Sequence, residues 1–343
     1  MITINNSPIL NSINADANEL IIDVNTTNGF THYLRAEISL DGVLFKVQSW
    51  GKYDGYNAKV SLQNLLQNFF EIDNTPNIVN GITYKNLVKR VSIQIKEYLL
   101  SNDSLVDTEV VPDFYMIKSY NPEVLNLASD IEFVADIPNL FKCPKDAYIS
   151  IPFFISNANI STIQVSVTDD QDNIIYSYSV NSSGIGFHVF NLSLSSIVIP
   201  YEVKSIKFTI TFNTITIEKT ILIEHLPVYL PTNIYFENNY GIFQYAYFFG
   251  ESQKERKYSR ESYSVSNNQL RNFETTTDIY YKINTGYFSK DQIKLIDMIN
   301  KSLNVQISDQ GPFVEVRQST SKFTEPTSNE YVIDEEITFI RKE

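Results

Sequence analysis

The middle of the chain reads Thr162-Ile-Gln-Val-Ser-Val-Thr168, Asp169-Asp-Gln-Asp-Asn173 and Ile174-Ile-Tyr-Ser-Tyr-Ser-Val180. Alternation of apolar and polar residues is typical of half-buried β-strands, and Asp and Asn between two such runs indicate a hairpin. Further short apolar or alternating runs occupy 149–154, 187–194, 204–212 and 214–223. Short strands with regular turn signals predict an immunoglobulin-like β-sandwich over 129–228. The Cys…Trp…Cys spacing of antibody domains is absent, so the prediction covers only the architecture.

Residues 1–128 predict an N-terminal β-rich domain with a short helix. Asp41-Gly42 lies between the alternating runs 33–40 and 43–50. Both residues of an Asp-Gly turn accept the positive φ angles of a tight hairpin. Residues 60–70 carry apolar side chains at mostly helical spacing, which predicts a short amphipathic helix there. These side chains are Val60, Leu62, Leu65, Leu66, Phe69 and Phe70.

Residues 229–343 predict a C-terminal antiparallel β-domain with one helix. Ser289 and Gln292 have the spacing of a capping box, in which the two residues satisfy each other's free backbone N–H groups. Ile293, Ile296, Met298, Ile299 and Leu303 follow at near-helical spacing, so we predict a helix over 289–303. The chain is therefore predicted to be mainly β and multidomain, with the sandwich flanked by β-rich domains that carry short helices.

The composition disfavours several classes of partner. The 343 residues include 27 Lys and Arg against 40 Asp and Glu, which gives a net charge of −13. Phosphate backbones are bound through excess positive charge, so we expect no sequence-specific nucleic-acid binding. No stretch approaches the length of an apolar membrane helix, so we expect no membrane span. The N-terminus lacks a basic segment followed by an apolar core, and we expect synthesis in a cytoplasm.

No motif of known chemistry stands out. Cys143 is the one cysteine, and the three histidines, His32, His188 and His225, are far apart in sequence. A phosphate-binding loop, a Gly-x-Ser-x-Gly elbow and a His-Glu-x-x-His pair are all missing. We therefore predict no enzymatic activity and no cofactor. A hydrolase that uses two carboxylates stays an alternative, because the acidic residues supply many pairs and the sequence selects none.

The acidic segment 169–173 has two interpretations. Asp and Asn at alternating positions resemble the start of a calcium loop, since Ca²⁺ takes several oxygen ligands. The Gly and the terminal Glu of an EF-hand loop are missing. Asp and Asn are also common turn formers, because their side chains bond their own backbone. A solvated hairpin turn is the favoured interpretation, with a calcium site at Asp169–Asp172 as the alternative.

Two segments of the C-terminal domain are candidates for contact with other subunits. Residues 254–261 form the densest basic run, and residues 235–249 form the densest aromatic run. Aromatic side chains fill β-cores and protein interfaces, and basic residues of an acidic chain complement a neighbouring acidic copy. The predicted interface residues are Arg256, Lys257, Arg260, Tyr235, Tyr240, Phe243, Tyr245 and Tyr247. The alternatives are a solvated edge for the basic run and a glycan-binding surface for the aromatic run.

The C-terminal domain also resembles a known group of proteins. The stretch Asn233-Ile-Tyr-Phe-Glu-Asn-Asn-Tyr-Gly-Ile-Phe-Gln-Tyr-Ala-Tyr-Phe-Phe-Gly250 has a strand, an Asn-x-x-Gly turn, an aromatic strand and a Gly. It precedes a charged segment with Arg256 and Arg260, then Thr285-Gly-Tyr-Phe288 and Pro312-Phe-Val-Glu-Val316. This pattern, with the opening from Ser7-Pro8 to 58–62, is similar to structural proteins of tailed bacteriophages that infect Bacteroidota, crAss-like phages among them.

The resemblance implies a non-enzymatic virion component of the tail, baseplate or collar, including a tail-neck ring. It implies that copies of the chain contact one another in a ring and contact other phage tail proteins, and that the chain is made in the bacterial host cytoplasm and located in the virion. A glycan-binding adhesion or receptor-binding module is the alternative function. The resemblance includes no catalytic motif.

Overall fold

A computed structural model describes residues 1–10, 12–16, 19–50, 56–65, 79–119, 130–134, 140–157, 161–181, 184–265, 269–287, 293–308, 311–319 and 335–342. Within these residues the chain is mainly β, with one α-helix and several separate sheets. This confirms the predicted fold class, a mainly β multidomain protein that contains β-sandwiches.

The strands follow one another closely along the chain. The first nine are β1 (Ile2–Asn6), β2 (Ile13–Ala15), β3 (Ile21–Thr26), β4 (His32–Leu40), β5 (Val43–Trp50), β6 (Asn57–Ser61), β7 (Gly81–Lys85), β8 (Val88–Leu99) and β9 (Leu105–Ile117). The next eight are β10 (Ile131–Phe133), β11 (Leu140–Pro144), β12 (Tyr148–Ile155), β13 (Thr162–Thr168), β14 (Ile174–Asn181), β15 (Gly186–Ser193), β16 (Ser205–Phe212) and β17 (Ile215–Glu224). The last elements are β18 (Thr232–Glu237), β19 (Phe243–Phe248), β20 (Ser252–Val265), β21 (Gln269–Asn284), α1 (Ile293–Lys301), β22 (Val305–Ser308), β23 (Val314–Gln318) and β24 (Glu336–Lys342).

The chain divides into two compact units. The first comprises Met1–Asp73, Lys85–Ala128 and Ile185–Phe187. The second comprises Asn74–Tyr84, Ser129–Gly184 and His188–Glu343. Ala128 and Ser129, at the first predicted boundary, fall in different units, whereas the predicted boundary at 228/229 lies inside the second unit.

The first unit contains a β-sandwich of its own. One sheet has the strand order β1-β3-β6, and the other has the order β2-β9-β8-β4-β5. Apolar side chains from both sheets form one core, because alternate residues of each strand point the same way. The core includes Ile22, Val24, Leu34, Ala36, Ile38, Val60, Val91, Ile93, Val111 and Phe114.

The tight hairpin predicted at Asp41-Gly42 is confirmed. β4 pairs antiparallel with β5, and the two turn residues have φ angles of 50° and 81°. Positive φ at both central positions is the turn geometry that suits the twist of the flanking strands.

The helix predicted over 60–70 is wrong at its start. Val60 lies in β6, opposite Ile22 of β3. Ala58, Val60 and Leu62 are all buried and alternate with exposed residues, so the period here is two rather than that of a helix. Residues 66–70 of the predicted helix lie outside the described residues.

The middle segment forms the predicted immunoglobulin-like sandwich. Its sheets have the orders β10-β12-β15-β7 and β11-β17-β16-β13-β14. β10, β12 and β15 occupy the positions of strands A, B and E, and β17, β16 and β13 occupy those of G, F and C. The hairpin predicted at 169–173 is confirmed, since β13 pairs antiparallel with β14. The predicted runs 204–212 and 214–223 form a second hairpin, since β16 pairs antiparallel with β17 across Asn213.

The fourth strand of the first sheet, at the position of strand D, comes from far away in the sequence. β7 falls within the predicted N-terminal domain of residues 1–128, but it lies beside β15. The Asn80 side chain accepts a 2.7 Å hydrogen bond from the backbone N–H of Ser193 and donates a 2.8 Å bond to the Ser196 hydroxyl. The Tyr84 ring meets the buried His188 edge-on at a centroid distance of 5.4 Å. These contacts attach a short strand to the edge of the sandwich.

The C-terminal segment is a seven-stranded sheet with α1 on one face. The order is β19-β18-β22-β23-β24-β21-β20. α1 buries Ile293, Leu295, Ile296, Met298 and Ile299 against this sheet. The helix predicted over 289–303 is therefore confirmed over Ile293–Lys301. Residues 289–292, with the predicted capping box, lie outside the described residues, and Leu303 follows the helix with 69% of its surface exposed.

Gly81 provides a test of how β7 docks. Its φ is +124°, and a Cβ atom there would lie 3.1 Å from the ring of Tyr178. Gly81→Ala should lower the free energy of unfolding by about 1–3 kcal/mol, because the new methyl group meets both backbone strain and the ring. Chemical denaturation measures the change.

Gly29→Ala is the matched control for this substitution. A Cβ atom at Gly29 would have no heavy atom within 4 Å, and its φ lies outside the left-handed region. We expect Gly29→Ala to leave the free energy of unfolding nearly unchanged. Equal effects of the two substitutions would contradict the proposed docking of β7.

Candidate interaction surfaces

The β18–β19 hairpin carries the aromatic run, and a local turn determines its shape. The Asn238 side-chain oxygen accepts 3.0 Å hydrogen bonds from the backbone N–H groups of Tyr240 and Ile242. Gly241 takes a φ of 77°, which favours a residue without a side chain. The Asn-x-x-Gly pattern of the sequence therefore forms a turn. In this turn the Asn side chain accepts hydrogen bonds from backbone N–H groups, as a backbone carbonyl would elsewhere.

The aromatic residues of this hairpin are buried within the chain. None of the five predicted interface aromatics exposes more than 7% of its surface: Tyr235, Tyr240, Phe243, Tyr245 and Tyr247. The prediction that these side chains lie on a surface between subunits is therefore wrong. They are core residues, because the second unit itself supplies the partners that cover them.

Part of this aromatic cluster lies on the sheet face opposite α1. Ile234 and Phe236 belong to the core beneath the helix, so Tyr235 between them points to the other face. Its ring centroid lies 4.9 Å from that of Phe243 and 4.7 Å from that of Tyr245. These separations are typical of favourable aromatic pairs.

Tyr247 connects the C-terminal sheet to the immunoglobulin-like sandwich. Its hydroxyl accepts a 2.8 Å hydrogen bond from the backbone N–H of Tyr148 and donates a 2.6 Å bond to the backbone C=O of Tyr148. Tyr148 begins β12, and its ring also lies 5.9 Å from that of Tyr245. The predicted interface residues thus form an interface, but within one chain.

Burial also changes the acid–base behaviour of these residues. Burial raises the pKa of Tyr247 well above its ordinary value of 10.0, and the nearby Cys143 adds to the shift. Burial likewise raises the pKa of Tyr245, with a smaller contribution from Tyr235. Both hydroxyls therefore stay protonated at neutral pH.

The β20–β21 hairpin carries the basic run on an exposed strand. Residues 253–262 of β20 are exposed, and Tyr258 exposes 57% of its surface. Arg256 lies opposite the buried Ile279, whereas Lys257 lies opposite Asp278. Because successive strand residues point to opposite faces, Arg256, Tyr258 and Arg260 share one face, and Lys257 is on the other.

The predicted basic interface residues are therefore exposed but divided between two faces of the hairpin. Among the described residues, Arg256, Lys257 and Arg260 make no ion pair within 4 Å. The neighbouring Glu255 does have a partner, since its carboxylate lies 2.6 Å from the Lys282 ammonium.

β5 is a second exposed edge strand, and the sequence did not predict it as an interaction surface. Val43, Leu44, Phe45 and Val47 expose between 39% and 70% of their surfaces. Phe45 is an extra residue relative to β4, since Ile38 pairs with Lys46 and Ser39 with Leu44. A bulge of this kind disrupts further strand pairing at an edge, so the apolar side chains rather than the backbone are the exposed feature. From sequence alone, the apolar side chains of such a strand are expected in the core.

The acidic loop forms a turn that the Asp169 side chain closes. The Asp169 carboxylate accepts hydrogen bonds of 2.8 Å from the backbone N–H of Asn173, 2.9 Å from its side chain and 2.9 Å from the backbone N–H of Gln171. The bond from the Asn173 side chain is the main reason that the pKa of Asp169 is lowered. Over the described residues, no group of three or more His, Cys, Asp and Glu side chains could hold a metal ion.

Cys143 and two of the histidines have contacts typical of structural residues. Cys143 is buried in β11, and burial raises the pKa of its thiol above the ordinary value of 9.0. The His188 ring stacks on Phe153, and the His225 Nε2 lies 2.6 Å from the backbone oxygen of Val203. In the part of the chain that the structure describes, no helix is long and apolar enough to cross a bilayer.

Comparisons with known proteins add little beyond the β architecture. No family model matches the chain, and no curated protein does. The chain is similar to a Salmonella enterica SafA pilin in complex with the SafB chaperone, at 7% identity and a TM-score of 0.23, covering 65% of this chain and 96% of that one. It is also similar to a Dpr2 Ig1-Ig2 and DIP-Theta Ig1-Ig3 complex, at 8% identity and a TM-score of 0.25, covering 100% and 89%. A chimeric titin Z1Z2 gives 12% identity and a TM-score of 0.18, covering 66% and 97%.

Removing one hydroxyl tests the connection between β12 and β19. Tyr247→Phe should lower the free energy of unfolding by about 1–3 kcal/mol, because it removes the partner of the partly buried backbone N–H and C=O of Tyr148. Tyr287→Phe removes a hydroxyl from a side chain that is 79% exposed, and should have almost no effect. Urea denaturation of both variants provides the comparison, and a neutral Tyr247→Phe would show that the bonds contribute nothing to stability.

Alkaline pH should destabilise the protein partly through Tyr245. Because its pKa is raised in the fold, the folded chain holds a proton that the unfolded chain releases near pH 10.0. The stabilisation of the fold by the protonated Tyr245 hydroxyl is complete below that pH and is lost as the pH rises above it. The free energy of unfolding should fall less steeply above pH 10 for Tyr245→Phe than for the wild type. If the free energy of unfolding falls equally steeply with pH in both proteins, the raised pKa of Tyr245 is contradicted.

Proposed function

We propose that this chain is a non-enzymatic structural subunit of a bacteriophage virion, in the tail, baseplate or tail-neck ring, which acts through contacts between subunits. The resemblance of its C-terminal segment and of its opening to phage structural proteins supports this function. Arg256, Lys257 and Arg260 are the candidate contact residues. Other phage tail proteins and further copies of the chain are its proposed partners.

The observation that carries the proposal is the exposed basic edge strand β20 on an acidic chain. The net charge is −13, so copies of the chain repel one another unless opposite charges meet locally. β20 concentrates basic residues on one exposed strand. Complementary charge sets the orientation and partner of a contact more than its affinity.

Exposed apolar surface would supply affinity that charge pairs do not. Single exposed ion pairs contribute only about 0–1 kcal/mol each. The side chains of Val43, Leu44, Phe45 and Val47 on β5 are an exposed apolar group suited to burial in a contact. A subunit with two different contact surfaces can form closed rings.

The glycan-binding alternative has lost the residues that suggested it. The aromatic side chains between Tyr235 and Tyr247 are buried, and a sugar ring stacks only on an accessible aromatic face. Exposed Tyr258 remains, but it lies between two arginines on β20. We therefore keep the structural subunit as the single proposed function.

Charge reversal on β20 tests the role of this strand in assembly. Light scattering after size exclusion should detect association of the wild-type chain at low salt that weakens as salt rises, because exposed charges are screened within about 8–10 Å at physiological ionic strength. Arg256→Glu combined with Arg260→Glu should abolish that association. Lys145→Glu combined with Lys204→Glu reverses two other exposed charges and should not. Unchanged association of the β20 variant at every salt concentration would overturn the role of this strand.

The position of the gene tests the virion assignment independently. We expect genes for portal, capsid or tail proteins beside it, and we expect the chain in purified particles by mass spectrometry. Absence from the purified particles would overturn the virion assignment.

A further inference from the structure

The outer side of β20 is an open backbone edge. β20 ends the seven-stranded sheet, and no other described strand lies beyond it. The backbone N–H of Asn284 donates to the backbone C=O of Glu251, so Glu251 and the odd-numbered residues after it bond toward β21. The N–H and C=O groups of Lys254, Arg256, Tyr258 and Arg260 therefore point outward.

This edge is regular, unlike that of β5. The register shift between β20 and β21 falls between Glu261 and Ser262, where Glu261 pairs with Glu274 and Ser262 with Asn272. The extra residue is therefore in β21, and β20 itself has no inserted residue. A second strand could form a continuous ladder along it.

The sequence of β20 determines which strand fits this edge. Two identical antiparallel strands related by a two-fold axis must have that axis at a residue, because opposite residues must both point toward the partner or both point away. Placing the axis at Ser259 pairs Lys257 with Glu261 and Tyr258 with Arg260, each twice. Both combinations are attractive, the first as an ion pair and the second as a cation–π contact.

The adjacent registers bring like charges together. An axis at Tyr258 pairs Arg256 with Arg260 and Glu255 with Glu261. An axis at Lys257 places this residue opposite its own copy. Axes at Glu255, Arg256, Arg260 and Glu261 do the same for those residues. Like charges directly opposite one another destabilise a sheet, so the register at Ser259 is the one favoured by charge.

We propose that β20 pairs antiparallel with β20 of a second copy of this chain, about a two-fold axis at Ser259. This inference rests on the self-association in the proposed function and names the surface that carries it. Such a contact joins two chains and does not close a ring by itself, so a ring would need a second surface such as β5. Charged residues on an edge strand also prevent unwanted pairing, and here they would exclude the other registers.

Cysteine cross-linking tests the register. At the axis, two copies of residue 259 would be a pair without hydrogen bonds between them, with Cα atoms about 4.5 Å apart, close enough for a disulfide. Ser259→Cys should therefore give a covalent dimer under mild oxidation. Lys257→Cys is the matched control on the same face, where the two copies would lie about 14 Å apart and should not cross-link. The native Cys143 is buried. Equal cross-linking of both variants, or none at Ser259→Cys, overturns the register.

A charge swap tests the same register without a covalent bond. Lys257→Glu and Glu261→Lys should each weaken dimerisation about tenfold, because each places like charges opposite one another twice. The double variant should restore the affinity, since the two charges are exchanged. Sedimentation equilibrium at low salt measures the dissociation constants, and circular dichroism checks that each variant folds. A double variant as weak as the single variants overturns the pairing.

The two sets of results distinguish this inference from the proposed function. If the wild-type chain associates but neither the cross-link nor the charge swap behaves as expected, the β20 pairing is wrong and another surface carries the assembly. If the wild-type chain stays monomeric at every concentration and is missing from virions, the proposed function fails as well.

Discussion

Free backbone groups at the edges of β-sheets are the constraint on which this structure depends. Each edge strand presents N–H and C=O groups that need water, a neighbouring strand or a covering segment. The edge at β15 is closed by β7, a strand from more than a hundred residues earlier in the chain, whose neighbour Asn80 bonds Ser193. The edge at β5 is interrupted by a bulge at Phe45. β20 has neither a covering strand nor a bulge, and its exposed charges determine which strand can pair with it.

The sequence predicted features that depend on neighbouring residues and missed those that depend on distant ones. The Asp41-Gly42 turn and the β13–β14 hairpin follow from a few consecutive residues, so alternation and turn chemistry were sufficient to predict them. β7 has no such signal, because five residues of ordinary strand character do not reveal a partner in another domain. The sequence predicted Val60 in a helix because most apolar residues from 60 to 70 recur at helical spacing, yet its pairing with Ile22 decides its conformation.

The aromatic run shows why composition does not distinguish a core from an interface. Both environments bury large apolar rings and satisfy their polar groups, so the same residues suit either. Tyr247 buries its ring and bonds the backbone of Tyr148, as it would at a contact between two chains. The basic run differs, because arginine and lysine are rarely buried without a partner, and their exposure on β20 could be predicted from residue type.

The charges on β20 determine the pairing register because the interaction energy differs between registers. They add little to the affinity of the contact. One exposed ion pair contributes about 0–1 kcal/mol, so two such pairs and two cation–π contacts give a weak dimer. Moving the axis by one residue replaces those attractions with like-charge contacts such as Arg256 with Arg260, and the difference between registers is larger than any single attraction. In a particle that holds many copies close together, a weak contact forms readily because the local concentration is high. Under those conditions discrimination between registers matters more than affinity, and a charged edge strand provides discrimination.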